Sequence, residues 1–547
     1  MKREWLMVLG LAACSAPGSG NGGDDSDASV AADSATIPST SSVGTNLTGL
    51  ADWSAEWAFI DAFKASRSWI SGSASAWDDG RTLALDARGW VTSLQPGQIA
   101  RTLVLPEGHY PAGAYVVLYD GAGTLEYGGG GSRDAARSTP GRDVVNVSGT
   151  APVIINLTAT TASDPLRNIR FLMPGGVCSN DGFRACDPAH ACDGSGTCEA
   201  FEDVYATQIF HPTFLSRVRG YRTLRFMDWL ATNNSTVSDH AARLDDARWT
   251  NDGVPIEIAV ELANRLGADA WLDIPHLATD GYVQEVAALV HDRLAPGLRV
   301  YIEYSNEIWN SIFSQGTYAE QRGVALGLAS TPFEARLRYQ SQRSVEIFQI
   351  FESVFADDHT RIVRVLAAQA ANPWTSQVLL DHDGAYQHAD ALAIAPYFGG
   401  YLGGPGQVGT LHAMDLDDLF TELDQHAVPE AVGWVANQAK EARSRGLALV
   451  AYEAGNHLVG IQGVENDAAV NALFDAANRD PRMKDVYTRY LEGWKDSGGQ
   501  LLVHFVNCSA PLKWGRWGAL EYLEQPRADA PKYDAIQSFI ETYPAWW

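Results

Sequence analysis

The sequence predicts an α/β fold: a (β/α)8 barrel with an antiparallel β-sandwich inserted or appended. Three observations predict it. From Glu202 onward, apolar runs of strand length alternate strictly with helical patterns. Two of those runs end abruptly in carboxylates, at Ser305-Asn306-Glu307 and at Tyr452-Glu453. Between Ser73 and Pro174, in contrast, short apolar runs are separated by Gly, Pro, Asp and Ser, the texture of a small sandwich.

With 547 residues the chain is long enough for a barrel and an accessory unit. Its hydrophobic content of 46% and charged content of 19% are those of a globular protein. The formal net charge of -26 repels phosphate backbones, so nucleic acid is not an expected partner; a neutral glycan would not be repelled.

Residues 1–14 have the order of an export signal. Lys2 and Arg3 are followed by a short apolar run and then by Leu11-Ala12-Ala13-Cys14. The last four residues resemble the bacterial lipoprotein box, which implies that Cys14 is lipidated and becomes the mature N-terminus. That N-terminal lipid is the one membrane contact expected, and cleavage without lipidation is the alternative. Residues 15–43 are rich in Ser, Gly, Ala and Asp and read as a flexible tether.

Gly44 to Trp53 is expected to supply the first barrel strand. Glu56 to Ile70 places Trp57, Ile60 and Phe63 at helical spacing, so 44–72 reads as the first strand and helix, with the sandwich occupying 73–174. Gly128 to Gly131 lacks the Lys-Ser/Thr and helix of a phosphate loop and is expected to be a plain loop. Trp77, Trp90 and Tyr110 are either sugar contacts or core residues of the sandwich. Cys178, Cys186, Cys192 and Cys198 fall within one loop, 175–201. In an exported chain they predict two disulfides, with three connectivities open; their gaps are longer than those of a zinc site.

The remainder of the barrel is assigned to 202–547. Seven strands are read at Thr223–Trp229, Asp269–Ile274, Val300–Ser305, Ile362–Ala367, Ala391–Ala395, Leu447–Tyr452 and Leu501–Val506. A barrel needs eight, so the first must come from Gly44–Trp53. On this count Glu307 ends the fourth strand and Glu453 the seventh, both at the C-terminal mouth where barrel enzymes keep their chemistry. Two carboxyls held on separate strand ends suit glycosidic cleavage, which needs an acid for the leaving oxygen and a carboxylate for the oxocarbenium-like centre.

Asn306-Glu307 ending the fourth strand, with Glu453 ending the seventh, resembles clan A of the glycoside hydrolases, retaining (β/α)8 enzymes. The resemblance implies that Glu307 is the acid/base and Glu453 the nucleophile. It further implies that Arg225 positions the nucleophile and that Tyr397 is the strand-six tyrosine. Asn306 would contact the sugar 2-hydroxyl, and Trp514, after strand eight, would lie under a sugar. His276, ending Asp273-Ile-Pro-His276, is read as a ligand for sugar hydroxyls; Trp229 and Trp309 offer further stacking faces, but a lone aromatic is more often a core residue. Glu303 shares the strand parity of Glu307 and is read as a structural partner of Arg225. Ala395 departs from the pattern of several clan families, which have a histidine there.

The expected function is therefore a retaining, endo-acting glycoside hydrolase on a β-linked polysaccharide or oligosaccharide, without cofactor or metal. The alternative is a non-catalytic surface carbohydrate-binding protein on a degenerate barrel. No Gly-x-Ser-x-Gly elbow or His-Glu-x-x-His cluster points to esterase or metalloenzyme chemistry.

Overall fold

The computed structural model describes residues 40–241 and 243–547. The signal-like segment, Cys14 and residues 15–39 of the expected tether lie outside these residues; its last residues are not tether, because Ser41 and Ser42 are buried and Val43 opens the first barrel strand. Among the described residues, no helix is long and apolar enough to cross a membrane.

Eight parallel strands close into a barrel. They are β1 Val43–Asn46, β2 Thr223–Arg225, β3 Asp269–Ile274, β4 Val300–Tyr304, β5 Ile362–Ala367, β6 Ala391–Ile394, β7 Ala448–Ala451 and β8 Leu502–His504. They pair in chain order, and β8 returns to β1 through Val43 beside Leu502. Helices cover the outside, among them Ile256–Leu266, Asp280–Arg293, Pro332–Val354 and Val428–Ser444. Both faces of such strands are buried, which is why they read as near-continuous apolar runs. Trp271, Tyr301, Val365, Val450 and Tyr452 fill the interior. The turn from the Ile256–Leu266 helix into β3 uses Gly267 in the left-handed region (φ 64), where its N–H caps the last helical carbonyls.

The expected first helix does not form. Asp61 caps only a 3-10 turn, Ala62–Ala65, and Ile70–Gly72 pairs antiparallel with Ile99–Leu105 instead of following a barrel helix. Apolar spacing misled here because the segment is wedged between other elements. Phe59 packs on Phe210, Trp229 and Trp249, and Phe63 on Trp69 and Trp90. Burial on several sides rewards large side chains without needing a helical face.

Two four-stranded antiparallel sheets lie in sequence between β1 and β2. One orders Ile70–Gly72, Ile99–Leu105, Val153–Thr160 and Gly123–Gly129; the other orders Arg167–Leu172, Gly113–Asp120, Arg142–Val147 and Gly131–Arg133. The glycine run is thus mostly strand, not loop. Gly129 has φ +67, and a Cβ on it would sit 1.9 Å from the carbonyl oxygen of Pro152, so glycine is required by close backbone approach. Trp90 and Tyr110 are buried, whereas Trp77 is 44% exposed.

After these sheets comes a three-stranded sheet of Gly176–Cys178, Asp181–Cys186 and Cys198–Ala200. It is closed by two interleaved disulfides, Cys178–Cys192 and Cys186–Cys198. Cys508 is free and buried.

Candidate active site

A cavity of about 420 Å3 opens where the strands end, and Asn306, Glu307, Tyr397 and Glu453 all line it. Beneath it lies Arg225, which is fully buried on β2. β2 puts Arg225 level with Asn46 of β1 and Trp271 of β3, so its guanidinium points into the barrel axis. There it donates to Glu453 Oε1 at 3.1 Å and to Asn46 Oδ1 at 3.1 Å through Nη1. Through Nη2 it donates to Asp273 Oδ1 at 2.7 Å, Glu303 Oε2 at 2.9 Å and Asn306 Oδ1 at 3.0 Å. The expected pairing of Arg225 with Glu303 is therefore present.

The two cavity carboxyls have different company. Glu453 accepts from Arg225 and, on its other oxygen, from the Tyr397 hydroxyl at 3.0 Å. Glu307 accepts from Asn310 Nδ2 at 2.9 Å and from the Tyr452 hydroxyl at 3.3 Å, with no cation in contact. Burial pushes the Glu307 carboxyl up to about 8, and the negative charge of Glu453 adds to the rise. Burial also lifts Glu453, but Arg225 and the Tyr397 hydroxyl pull it back. Of the pair, Glu307 is the natural holder of a proton. Its backbone is unusual too: Ser305 (φ 58) and Glu307 (φ 43) both sit in the left-handed region as the chain leaves β4. Positions of this kind are strained for side-chain-bearing residues and concentrate at functional sites.

Not every expected residue reaches the cavity. His276 is 5% exposed, stands edge-on to Tyr318, is lowered to about 4 by burial, and does not line it. Trp514 is 41% exposed under the Lys513 ammonium and does not line it either; Trp517 takes that place. Trp229 is core, at 1% exposure, while Trp309 does line the cavity and donates to the Tyr452 hydroxyl at 3.3 Å.

No protein-family profile matches the chain. No curated protein matches it either. Among solved structures it is similar to a family 26 endo-β-1,4-mannanase catalytic domain from Bacillus sp. JAMB-750, at 12% identity over 52% of this chain and 68% of that one, with a TM-score of 0.31. It is also similar to an endo-1,4-β-D-mannanase from Thermotoga petrophila, at 11% identity over 60% and 94% of the two chains, with a TM-score of 0.35. A third is a 4-O-α-L-rhamnosyl-β-D-glucuronidase from Fusarium oxysporum, at 12% identity over 60% and 63%, also with a TM-score of 0.35. Likeness this distant says nothing of what this chain acts on.

The sequence reading missed several lining residues: Asn233, Asn310, Trp434, His457 and Trp517. Asn233 accepts from Asn306 Nδ2 at 3.1 Å and from Gln315 at 2.7 Å, which fixes the amide of Asn306. His457 stands edge-on to both Tyr397 and Trp517, and burial lowers its pKa, so the ring is neutral. Asn310, three residues beyond Glu307, had a usable signal. The others come from loops whose paths no periodicity encodes.

Proposed function

We propose that the protein is a retaining glycoside hydrolase, endo-acting on a β-linked polysaccharide, with Glu307 as acid/base and Glu453 as nucleophile. One observation carries this reading: two carboxyls share a cavity at the barrel mouth, and only one of them is held by a cation. In the first step Glu453 would attack the anomeric carbon while Glu307 gives its proton to the leaving oxygen. In the second, Glu307 would take a proton from water, whose oxygen displaces Glu453 from the sugar. Arg225 and Tyr397 favour the ionised Glu453 that attack requires. The test is a panel of β-linked glycans with NMR of the first-formed product. Retained configuration is the expected result, and inverted product would overturn the mechanism.

A pH dependence follows from the same asymmetry. Glu307 must be protonated to act, and it loses that proton as pH rises through about 8. The alkaline limb of kcat/KM is therefore expected near pH 8. Glu453→Gln removes a neighbouring charge that raises Glu307, so the carboxyl of Glu307 should then titrate lower, which a 13C NMR titration reads out.

The proposal extends to location. We infer export as a lipoprotein, with Cys14 carrying the lipid and the Ser-, Gly- and Asp-rich stretch from Ser15 up to the buried Ser41 as the tether, consistent with the two disulfides of the cysteine loop. Cys14→Ser should move the protein from the membrane fraction to the soluble one; continued membrane attachment would refute the anchor.

A further inference from the structure

Below Glu453 the barrel holds more carboxyls than its one buried cation can neutralise. Asp273 on β3 and Glu303 on β4 are cross-strand partners in register, 0% and 1% exposed. Each gives one oxygen to Arg225: Asp273 Oδ1 at 2.7 Å, and Glu303 Oε2 at 2.9 Å from Nη2 and 3.2 Å from Nε. Trp271 Nε1 also donates to Glu303 Oε2, at 2.9 Å. The remaining oxygens, Asp273 Oδ2 and Glu303 Oε1, are buried and, among the described residues, receive no hydrogen bond from any N–H or hydroxyl. The two carboxyl groups are, however, neighbours: they stand opposite each other on adjacent strands and accept from the same Arg225 Nη2. Two bare carboxylates in such contact would repel strongly away from water, and each would keep an unsatisfied oxygen.

We infer that Asp273 and Glu303 are a carboxyl–carboxylate pair holding one proton, carried on Asp273 Oδ2 and donated to Glu303 Oε1, so that one anion of the pair rather than two competes with Glu453 for the charge of Arg225. Glu303 is the ionised member because Arg225 and Trp271 give its Oε2 three hydrogen bonds. Burial and the neighbouring anions push Asp273 well above the usual carboxylate range, in the same direction. Arg225 from β2 and Tyr452 and Glu453 from the end of β7 face the pair, and Glu453 itself also faces Tyr397, Glu307 and Asp228. Were both members ionised, they alone would outweigh Arg225, and Glu453 would be an uncompensated third anion. With one proton shared, the pair and Arg225 sum to zero, and the excess beside Arg225 falls from two anions to Glu453 alone. Asp273 and Glu303 are thus positioning residues that act on the nucleophile through Arg225. This inference rests on the reading of Glu453 as nucleophile for its consequence, but not for the proton itself.

Infrared difference spectra of the full chain at neutral pH test the proton directly. Wild type minus Asp273→Asn is expected to show loss of one protonated-carboxyl C=O band. Glu303→Gln is expected to lose the same band, because its amide would donate to an ionised Asp273; it serves as the second variant should the first fail to fold. Loss of carboxylate bands alone in either variant overturns the inference. A second arm reads the consequence. Asp273→Asn puts an amide where the proton was, so the acidic limb of kcat/KM should stay in place. The double variant Asp273→Asn/Glu303→Gln removes the last charge of the pair and should move that limb about one pH unit lower. A shift in the single variant overturns the inference. The spectra need no turnover, so a chain that shows the band but cleaves no glycan would refute the proposed function and leave the shared proton standing.

Discussion

Glu453→Ala is expected to lower kcat/KM for glycan hydrolysis by roughly 10^4-fold or more while the protein stays folded. The rate falls because Glu307 is the one other carboxyl among the described residues that line the cavity. Glu307 lines the same cavity but accepts from Asn310 and Tyr452, and its carboxyl retains its proton up to about pH 8. Stability survives because the deletion removes an anion from a neighbourhood already rich in them, and Arg225 keeps Asp273 and Glu303 as partners. Thermal melts alongside the rate measurement separate the two effects. Added azide gives a sharper test: a small anion in the space left by the side chain should attack the anomeric carbon and yield the inverted glycosyl azide. An alanine variant with wild-type turnover would remove Glu453 from the chemistry.

The barrel was legible because its signal is repetitive. β3 and β5 have the bounds that the apolar runs suggested, β2, β4, β6, β7 and β8 differ by one to four terminal residues, and β1 stops at Asn46, seven residues short of the expected Trp53. The need for an eighth strand identified β1 correctly, although the segment after it was misread. The same apolar spacing in Trp57, Ile60 and Phe63 serves a wedge between layers rather than a helix face, and periodicity cannot distinguish these cases. In the site, the legible residues are those on strand ends: Arg225, Asn306, Glu307, Tyr397 and Glu453 converge because strand register fixes them. The illegible ones are on loops. Trp514 and Trp517 are equivalent in composition, and only the fold of the loop decides between them. At Gly515 the chain has φ +155, and a Cβ there would lie 1.7 Å from Trp517 Nε1, so the Trp517 indole folds back over the glycine at the cavity while Trp514 stays outside.

Arg225→Met is the substitution with the largest expected effect on stability, a loss of about 3–5 kcal/mol or failure to accumulate as soluble protein. The side chain is fully buried and its guanidinium serves Asn46, Asp273, Glu303, Asn306 and Glu453. Methionine fills much of the volume but takes a donor from each of those acceptors and leaves the buried anions without their cation, with only Trp271 still donating to Glu303 and Tyr397 to Glu453. Glu303→Gln in the same chain should recover part of the stability, because it removes the anion that Arg225 holds through both Nη2 and Nε. It should not recover activity. Glu453 would still lack the cation that keeps it ionised, and the acidic limb of kcat/KM should stand at higher pH than in wild type, where Arg225 pulls that carboxyl down. Chemical denaturation and a pH–rate profile on the same two variants therefore separate two roles of one residue. Recovery of both stability and rate in the double variant would mean that Arg225 is only a structural counter-ion and that Tyr397 alone suffices to keep the nucleophile charged.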